Sequence, residues 1–518
     1  MKRFLKTVTI ASAAVLTLAA LSGCDPKNRD FNIDMTLDTR GVTIQFWSGF
    51  GAVINSTLTP MLERFTEETG IIVEYETKGG YDALQQAINL SATSASYPHL
   101  ANGYPDHFAG YIASDIILRL DGFIENDNKI PATRDGGAFA ELPAFDVADF
   151  YPSYMIENQT LEYDKDGNAY TLGIPFNKST EVAVVNTTAF DLFAQIDSTI
   201  KIPETWDEVE TVSTKVRNIM TTRGYYGNVV GADLNAYANS QEAEDAGTTM
   251  AIDFSLVNAE NFRLLSYDSL SNFFITGVRQ WGGTYTEMEQ QTRRGYVTFS
   301  NDETKAMMTR LRQLFDGNHI GIPQTWEETQ YCSGPFTLGK SLMNIGSSGG
   351  VVNGVPAGNA FQVDARPIPY QSVANKYVIS QGTNLALFDK GTDVEKVAAW
   401  KLLKYLTQYK NGEFAAGTGY YPTCVSSFES EEYQEYYNNV FSSAGDKIKV
   451  AAAKVNSDVY NGEGTTWKKF VDPGFVGSSY IRQEINFLIP ELFYGNPRKS
   501  IQEIIDSYYA LFNDYVRK

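Results

Sequence analysis

The sequence is short of the residues that most enzymes and metal sites need. It holds three histidines, His99, His107 and His319, and three cysteines, Cys24, Cys332 and Cys424. Beyond Cys24, two thiols can make one disulfide outside the cytoplasm. They cannot build a disulfide framework or a four-cysteine zinc site, and free buried cysteines are expected. Basic residues are also few, 42 Lys+Arg against 62 Asp+Glu. That balance excludes a nucleic-acid binder, which needs basic patches for the phosphate backbone, and broad adsorption to anionic lipid. The acidity itself reads as ordinary solubility. After the first twenty residues no apolar run reaches membrane-spanning length, and the body carries no internal repeat or low-complexity tract.

What is present describes a large soluble body. A chain of 518 residues with 43% hydrophobic and 13% aromatic content can bury a sizeable core, and its length suggests two or three domains. Lys2, Arg3 and Lys6 precede the apolar run Thr7 to Ala20, the layout of a secretion signal. The run ends in Leu21-Ser22-Gly23-Cys24. That ending resembles a bacterial lipobox, which implies cleavage before Cys24, diacylation of its thiol and anchoring at the outer face of the cell membrane. Residues 1–23 are thus expected as signal peptide and 24–41 as a polar tether.

Val42 to Trp47 reads as a strand. Leu58, Met61, Leu62 and Phe65 recur at helical spacing before Gly70, and Ile71 to Tyr75 reads as a second strand. Strand, helix, strand is the βαβ unit of a parallel, doubly wound α/β sheet. Alternation resumes with strands Tyr377 to Ile379 and Leu385 to Phe388 and the helix Val397 to Leu406. Ser500 to Glu503 forms a capping box for a last helix bearing Ile501, Ile504, Ile505, Tyr508 and Leu511 on one face. The polar stretches Gly227 to Asn272 and Ser426 to Thr466 are expected as surface insertions.

Two enzyme motifs overlap between Gly334 and Gly350. Gly334 and Gly339-Lys340-Ser341 fit a phosphate loop, which requires a strand leading in and a helix leading out. Here Phe336 to Gly339 reads as a helix end and Ser341 to Ile345 as the strand that follows, so the order is reversed. Gly346, Ser348 and Gly350 fit a nucleophile elbow, whose histidine must follow the serine in the chain; none of the three does. Asp164-Lys165-Asp166-Gly167-Asn168 lacks the register and terminal Glu of a calcium loop and reads as a hairpin turn. Asp106-His107 has no further ligands at metal spacing. No catalytic residue, metal or cofactor is expected. A strand ending in Gly346-Ser347-Ser348-Gly349-Gly350 instead offers hydroxyls and approachable amides to a bound ligand.

The lipobox, Phe46-Trp47 at the end of the first strand, Pro175 to Thr180 (PFNKST) before a strand, Ser341 to Gly350 and Thr418 to Thr423 (TGYYPT) occur in that order. In this the chain resembles the extracellular solute-binding proteins of ABC importers, of the larger sugar-binding type, and most of all the branch that takes glycerol-3-phosphate and glycerophosphodiesters. The resemblance implies a type II periplasmic-binding-protein fold, two α/β lobes each from discontinuous segments with the ligand cleft between them. One lobe is expected over 42–178 and 367–421, the other over 179–366 and 422–518. The ligand residues it implies are Tyr81, Ser179, Ser347 with its neighbour Ser348, Gly382, Tyr420 and Arg482, the last facing a phosphate, with Asp106 one place late for the family's acid. The stacking tryptophan of that branch has no equivalent around Asp268, which leaves the solute open between a glycerol phosphate and a sugar or other polyol. The implied protein is a monomeric, non-enzymatic receptor that closes on its solute and delivers it to permease subunits, touching the membrane only through its lipid. The alternative is a secreted lipoprotein hydrolase acting on glycans or esters.

Overall fold

The computed structural model describes residues 33–127, 144–230 and 252–517. Cys24, the signal segment and the first half of the expected tether lie outside them. The strands, in chain order, are β1 (Thr43–Ser48), β2 (Ile72–Thr77), β3 (Leu100–Gly103), β4 (Ile174–Asn186), β5 (Val229–Val230), β6 (Ile252–Asp253), β7 (Arg263–Tyr267), β8 (Thr286–Met288), β9 (Gly295–Val297), β10 (Ile320–Gly321), β11 (Ser341–Ser347), β12 (Val363–Arg366), β13 (Tyr377–Leu387) and β14 (Lys468–Phe470).

The first βαβ unit forms as its pattern requires. Leu58, Met61, Leu62 and Phe65 are the buried face of the helix Ala52–Thr69. Gly70 ends it at φ 71° with its amide on the Thr66 carbonyl, a left-handed cap that glycine adopts without side-chain strain. β1 then pairs β2 in parallel and β3 on its other edge. Among the described residues the main sheet runs β10-β7-β11-β4-β13-β3-β1-β2, with β12 on β4 and β14 on β13.

β4 and β13 divide this sheet into two lobes. β4 is thirteen residues long and buried throughout. Its first half pairs antiparallel with β13, and its second half with β11 and β12. The segments 377–379 and 385–388, expected as two strands, are largely one continuous strand that crosses between lobes, with a bulge between Thr383 and Asn384. The sheet is therefore parallel on its flanks and antiparallel at its centre, because a chain that crosses over and later returns must run in opposite directions there.

Each lobe has its own core. One gathers Ile44, Phe46, Leu58, Phe65, Ile174, Leu385 and Trp400; the other gathers Val182 to Val185, Leu264, Leu265, Ile345, Ile481 and Ile504. Ile33 and Met35, in the stretch expected as tether, are buried in the first of these.

Both expected surface insertions are corrected. The described part of 227–272 contains β7, five buried residues that pair β11 and β10 inside the sheet. The stretch 426–466 forms helices whose Ile448, Ala452, Val455 and Tyr460 join the second core. Arg-Leu-Leu-Ser-Tyr is buried on both faces and shows no alternation, and small alanines hide a helical stripe. The last helix, Ile501–Arg517, opens on the expected box: Glu503 Oε2 accepts from the Ser500 amide at 2.8 Å, and Ser500 Oγ from the Glu503 amide at 3.2 Å.

Candidate functional site

The lobes face each other across a cleft floored by β4 and β13. At the floor, Gln381 pairs with Ser179 and Gly382 with Lys178. Gly382 sits at φ 93°, and a Cβ there would lie 1.8 Å from the Asn177 carbonyl oxygen; only glycine lets the two crossing strands approach so closely. Beneath it Lys178, fully buried, pairs with the Glu157 carboxylate and donates to the Gly382 carbonyl at 3.2 Å.

One cavity, of about 290 Å3, lies over Ser179. Tyr81, Ser179, Ser347, Gly382 and Tyr420 all line it, together with Tyr104, Asp268, Tyr331, Asn344 and Gln381. Tyr81 opens the helix Tyr81–Ser91 directly after Gly79 and Gly80, both at positive φ. Its ring meets Tyr104 edge-on at 5.2 Å, and its hydroxyl accepts from Asn177 Nδ2 at 3.3 Å. Burial holds the Tyr81 phenol well above its usual range, so it serves as a neutral hydrogen-bonding group. Tyr420 stacks on Phe414, nearly coplanar at 6.0 Å. A Cβ at Gly349 would come within 2.8 Å of the Tyr420 ring, so the glycine run leaves room for that ring. Ser347 Oγ donates to Ser179 Oγ at 3.2 Å, joining the two hydroxyls across β11 and β4. Asp268, directly after β7, accepts from the Cys332 amide at 2.8 Å; burial pushes its pKa up to about 6.

Ser348 does not join this group. It is buried, its Oγ accepts from the Thr180 amide at 3.2 Å, and it lines neither this cavity nor the next. The first turn after β11, Ser348–Gly354, turns it inward. Among the described residues, no histidine lines either cavity. The reversed phosphate loop is also plain: the helix Ser333–Thr337 ends, Gly339 adopts φ 71°, and β11 follows.

A second cavity adjoins the first behind Tyr104, Gln381 and Gly382, which line both. Asp106 reaches it from the first lobe, on the opening turn of the helix Pro105–Ala113. Arg482, on the helix Ser478–Tyr494, and Asp472 reach it from the second lobe. Arg482 donates to Asn272 Oδ1 and lies 3.9 Å from Asp472. Burial raises Asp472 to about 6 against the pull of Arg482.

Sequence reasoning missed Tyr104, Asp268, Tyr285, Gln381 and Asp472. Asp268 had a usable signal, a carboxylate at the end of an apolar run; the others sit in turns or inside strands and carry none.

The lobes also touch outside the cavities. Gln85 Nε2 donates to Ser479 Oγ at 3.0 Å, and Arg293 Nη1 donates to the Leu161 carbonyl at 2.9 Å. Asp164 to Asn168 form the expected turn, with Asp164 Oδ1 accepting from the Asp166 and Asn168 amides. Among the described residues no group of three or more His, Cys, Asp and Glu could hold a metal ion, and no helix is long and apolar enough to cross a membrane.

No curated protein matches the sequence. Solved structures share its fold at low identity. UgpB of Mycobacterium tuberculosis, in complex with glycerophosphocholine, is 15% identical over 92% of this chain and 98% of its own, with a TM-score of 0.64. The GacH receptor of Streptomyces glaucescens is 14% identical over 92% and 98%, at 0.62. The maltose/maltodextrin-binding domain MalE of Bdellovibrio bacteriovorus, bound to maltotriose, is 15% identical over 92% and 100%, at 0.61. These likenesses establish the two-lobed binding-protein fold. Residues 60–440 match the bacterial extracellular solute-binding proteins, and with that match over most of its length the chain belongs to this family.

Proposed function

We propose that the chain is the lipid-anchored solute-binding component of an ABC importer, non-enzymatic and monomeric, that captures a sugar-type solute by hinge closure and delivers it to the permease. The observation that carries this reading is the cleft itself. Tyr81 and Tyr420 face it from one side of the crossing strands, and Ser347 and Asp268 from the other, over a floor of Ser179, Gln381 and Gly382. A ligand touching both sides stabilises the closed state by its differential affinity for it. Tyrosine faces suit the apolar side of a sugar ring, and the surrounding hydroxyls, amides and carboxylate suit its rim. UgpB and MalE, which share the fold, were solved with glycerophosphocholine and maltotriose.

We take the lobes as 42–178 with 367–421 and 179–366 with 422–518, and Cys24 as the lipidated residue. Ligand contacts are assigned to Tyr81, Asp106, Ser179, Ser347, Gly382, Tyr420 and Arg482; Ser348 is given a supporting role. Arg482 favours a second reading, in which the solute is a glycerol phosphate.

Calorimetry on the purified chain with neutral mono- to tetrasaccharides and glycerol-3-phosphate tests the reading. Saturable binding without turnover is expected, together with a smaller radius of gyration in solution scattering when the ligand is present. Hydrolysis of any of these compounds, or binding of none, overturns it. Cys24→Ala is expected to release the protein from the membrane fraction.

A further inference from the structure

The cleft does not stop at Gln381. The cavity over Ser179, about 290 Å3, shares Tyr104, Gln381 and Gly382 with the narrower one of about 60 Å3. That one in turn shares Glu157, Ser380 and Asp472 with a third, of about 590 Å3, which runs on beside Phe470 and Met288. The middle section is a waist, with room for roughly four to six waters at ~10–15 Å3 each. Its walls hold an unusual set of unmet groups. Both carboxylate oxygens of Asp472, the Tyr285 hydroxyl, Thr286 Oγ1, Ser380 Oγ and Gln381 Oε1 are buried without a hydrogen-bond partner. Buried polar atoms are rarely left so, because each costs ~1–3 kcal/mol. Of these six, the Asp472 and Gln381 oxygens can only accept while the Tyr285, Thr286 and Ser380 hydroxyls can donate or accept; converging on one constriction, they point to an occupant that supplies donors and can also accept.

The charges say which donors. Among the described residues, Arg482 is the one cation lining the waist and Lys469 the one lining the third cavity, while none lines the first. Against them stand Asp268, Asp106 and Asp472, and Glu157 is already matched by Lys178. Arg279 acts on Asp472 from beyond the lining. A phosphate would bring up to two more negative charges beside buried carboxylates, whereas hydroxyls answer the bare acceptors at no cost in charge.

We propose that the solute is an elongated, neutral, hydroxyl-rich molecule, an oligosaccharide rather than a glycerol phosphate. It lies through the waist, with its hydroxyls donating to Asp472 and Gln381 and its ends in the two wider cavities. The proposal rests on the sugar-receptor reading above and fixes the length and charge of its ligand.

The test is calorimetry of the full chain with gluco-, manno-, galacto- and xylo-oligosaccharides of one to four units and with glycerol-3-phosphate. Affinity is expected to rise at least tenfold from one unit to three in one series. Asp472→Asn and Tyr285→Phe, each nearly isosteric, should each lower trisaccharide affinity about 5- to 30-fold, in line with ~1–2 kcal/mol per lost hydrogen bond. The single unit, seated over Ser179, should bind both variants as it binds the parent. Affinity flat with length, variants that bind the trisaccharide unchanged, or glycerol-3-phosphate binding more tightly than every sugar each overturn the proposal while leaving a solute receptor intact. Failure of every compound to bind overturns the receptor reading instead.

Discussion

The two ends of the cleft that meet at Gln381 are built from opposite chemistry. Over Ser179 the walls are tyrosines and small residues, with Asp268 as the lone carboxylate among the described residues. In the waist the walls are Asp106, Asp472 and Arg482 with unmet hydroxyls and amide oxygen. A ligand at the first would meet chiefly area and ring geometry, which respond little to pH and salt, with Asp268 as its titrating group. The second would hold a ligand by hydrogen bonds between desolvated groups, which are directional and pH-dependent. Both hang from the same pair of crossing strands, β4 and β13, so their alignment depends on a floor that belongs to neither.

The largest effect should come from breaking that floor. Lys178→Met leaves the Glu157 carboxylate buried without its partner. Loss of one member of such a pair costs about 3–5 kcal/mol, so urea unfolding should show a stability drop of that order and binding should weaken at both ends together. Next come the tyrosines. Tyr81→Ala and Tyr420→Ala each remove a buried aromatic face, worth about 1.5–3 kcal/mol. Calorimetry should show binding about 10- to 100-fold weaker than the parent's, by a factor that is the same at pH 5 and pH 8 because no titrating carboxylate is removed. A strong pH dependence confined to these variants would erase the contrast between the two ends.

The waist should respond to protons. The folded pKa of Asp472 is about 6, above its ordinary value of 3.8. Between those values the folded protein holds a proton that the unfolded chain has released. The stabilising contribution of the group is therefore present at low pH and is lost as pH rises from about 4 to about 6. Asp472→Asn should raise the melting temperature near pH 7 and leave it unchanged near pH 4; an equal gain at both would show that its carboxylate is not buried as charged. A smaller change is expected outside both ends: Gln85→Ala, which removes the lobe-to-lobe bond to Ser479, should weaken binding about 3- to 10-fold through faster release, at ~1 kcal/mol. The smallest contrast lies within one dipeptide. Ser347→Ala should lower affinity a few-fold, while Ser348→Ala should lower stability by about 1–3 kcal/mol and leave affinity unchanged, since its hydroxyl serves the Thr180 amide.

Much of this architecture was legible in the chain. Gly70 and the spacing of Leu58, Met61, Leu62 and Phe65 announce the first βαβ unit, because a cap and an amphipathic stripe are local properties. The family resemblance also singles out Tyr81, Ser179, Ser347 and Tyr420, which line one cavity. Other elements were not legible for a definable reason. β7 and the continuous β13 are buried on both faces, so period-two alternation is absent. Ser347 and Ser348 are neighbours of one residue type, and only the turn after β11 decides which faces the cleft.

The sequence by itself determined the fold class, and it removed two enzymes: the phosphate loop by the order of helix and strand, the nucleophile elbow by the absence of a following histidine. Those are facts of composition and succession, which survive unfolding. Only the tertiary structure decided that Asp106, Tyr285, Ser380 and Asp472 share one constriction. They come from four distant segments, and none has a local pattern. A polar group becomes informative there through burial without a partner, a property that exists only once the lobes have met.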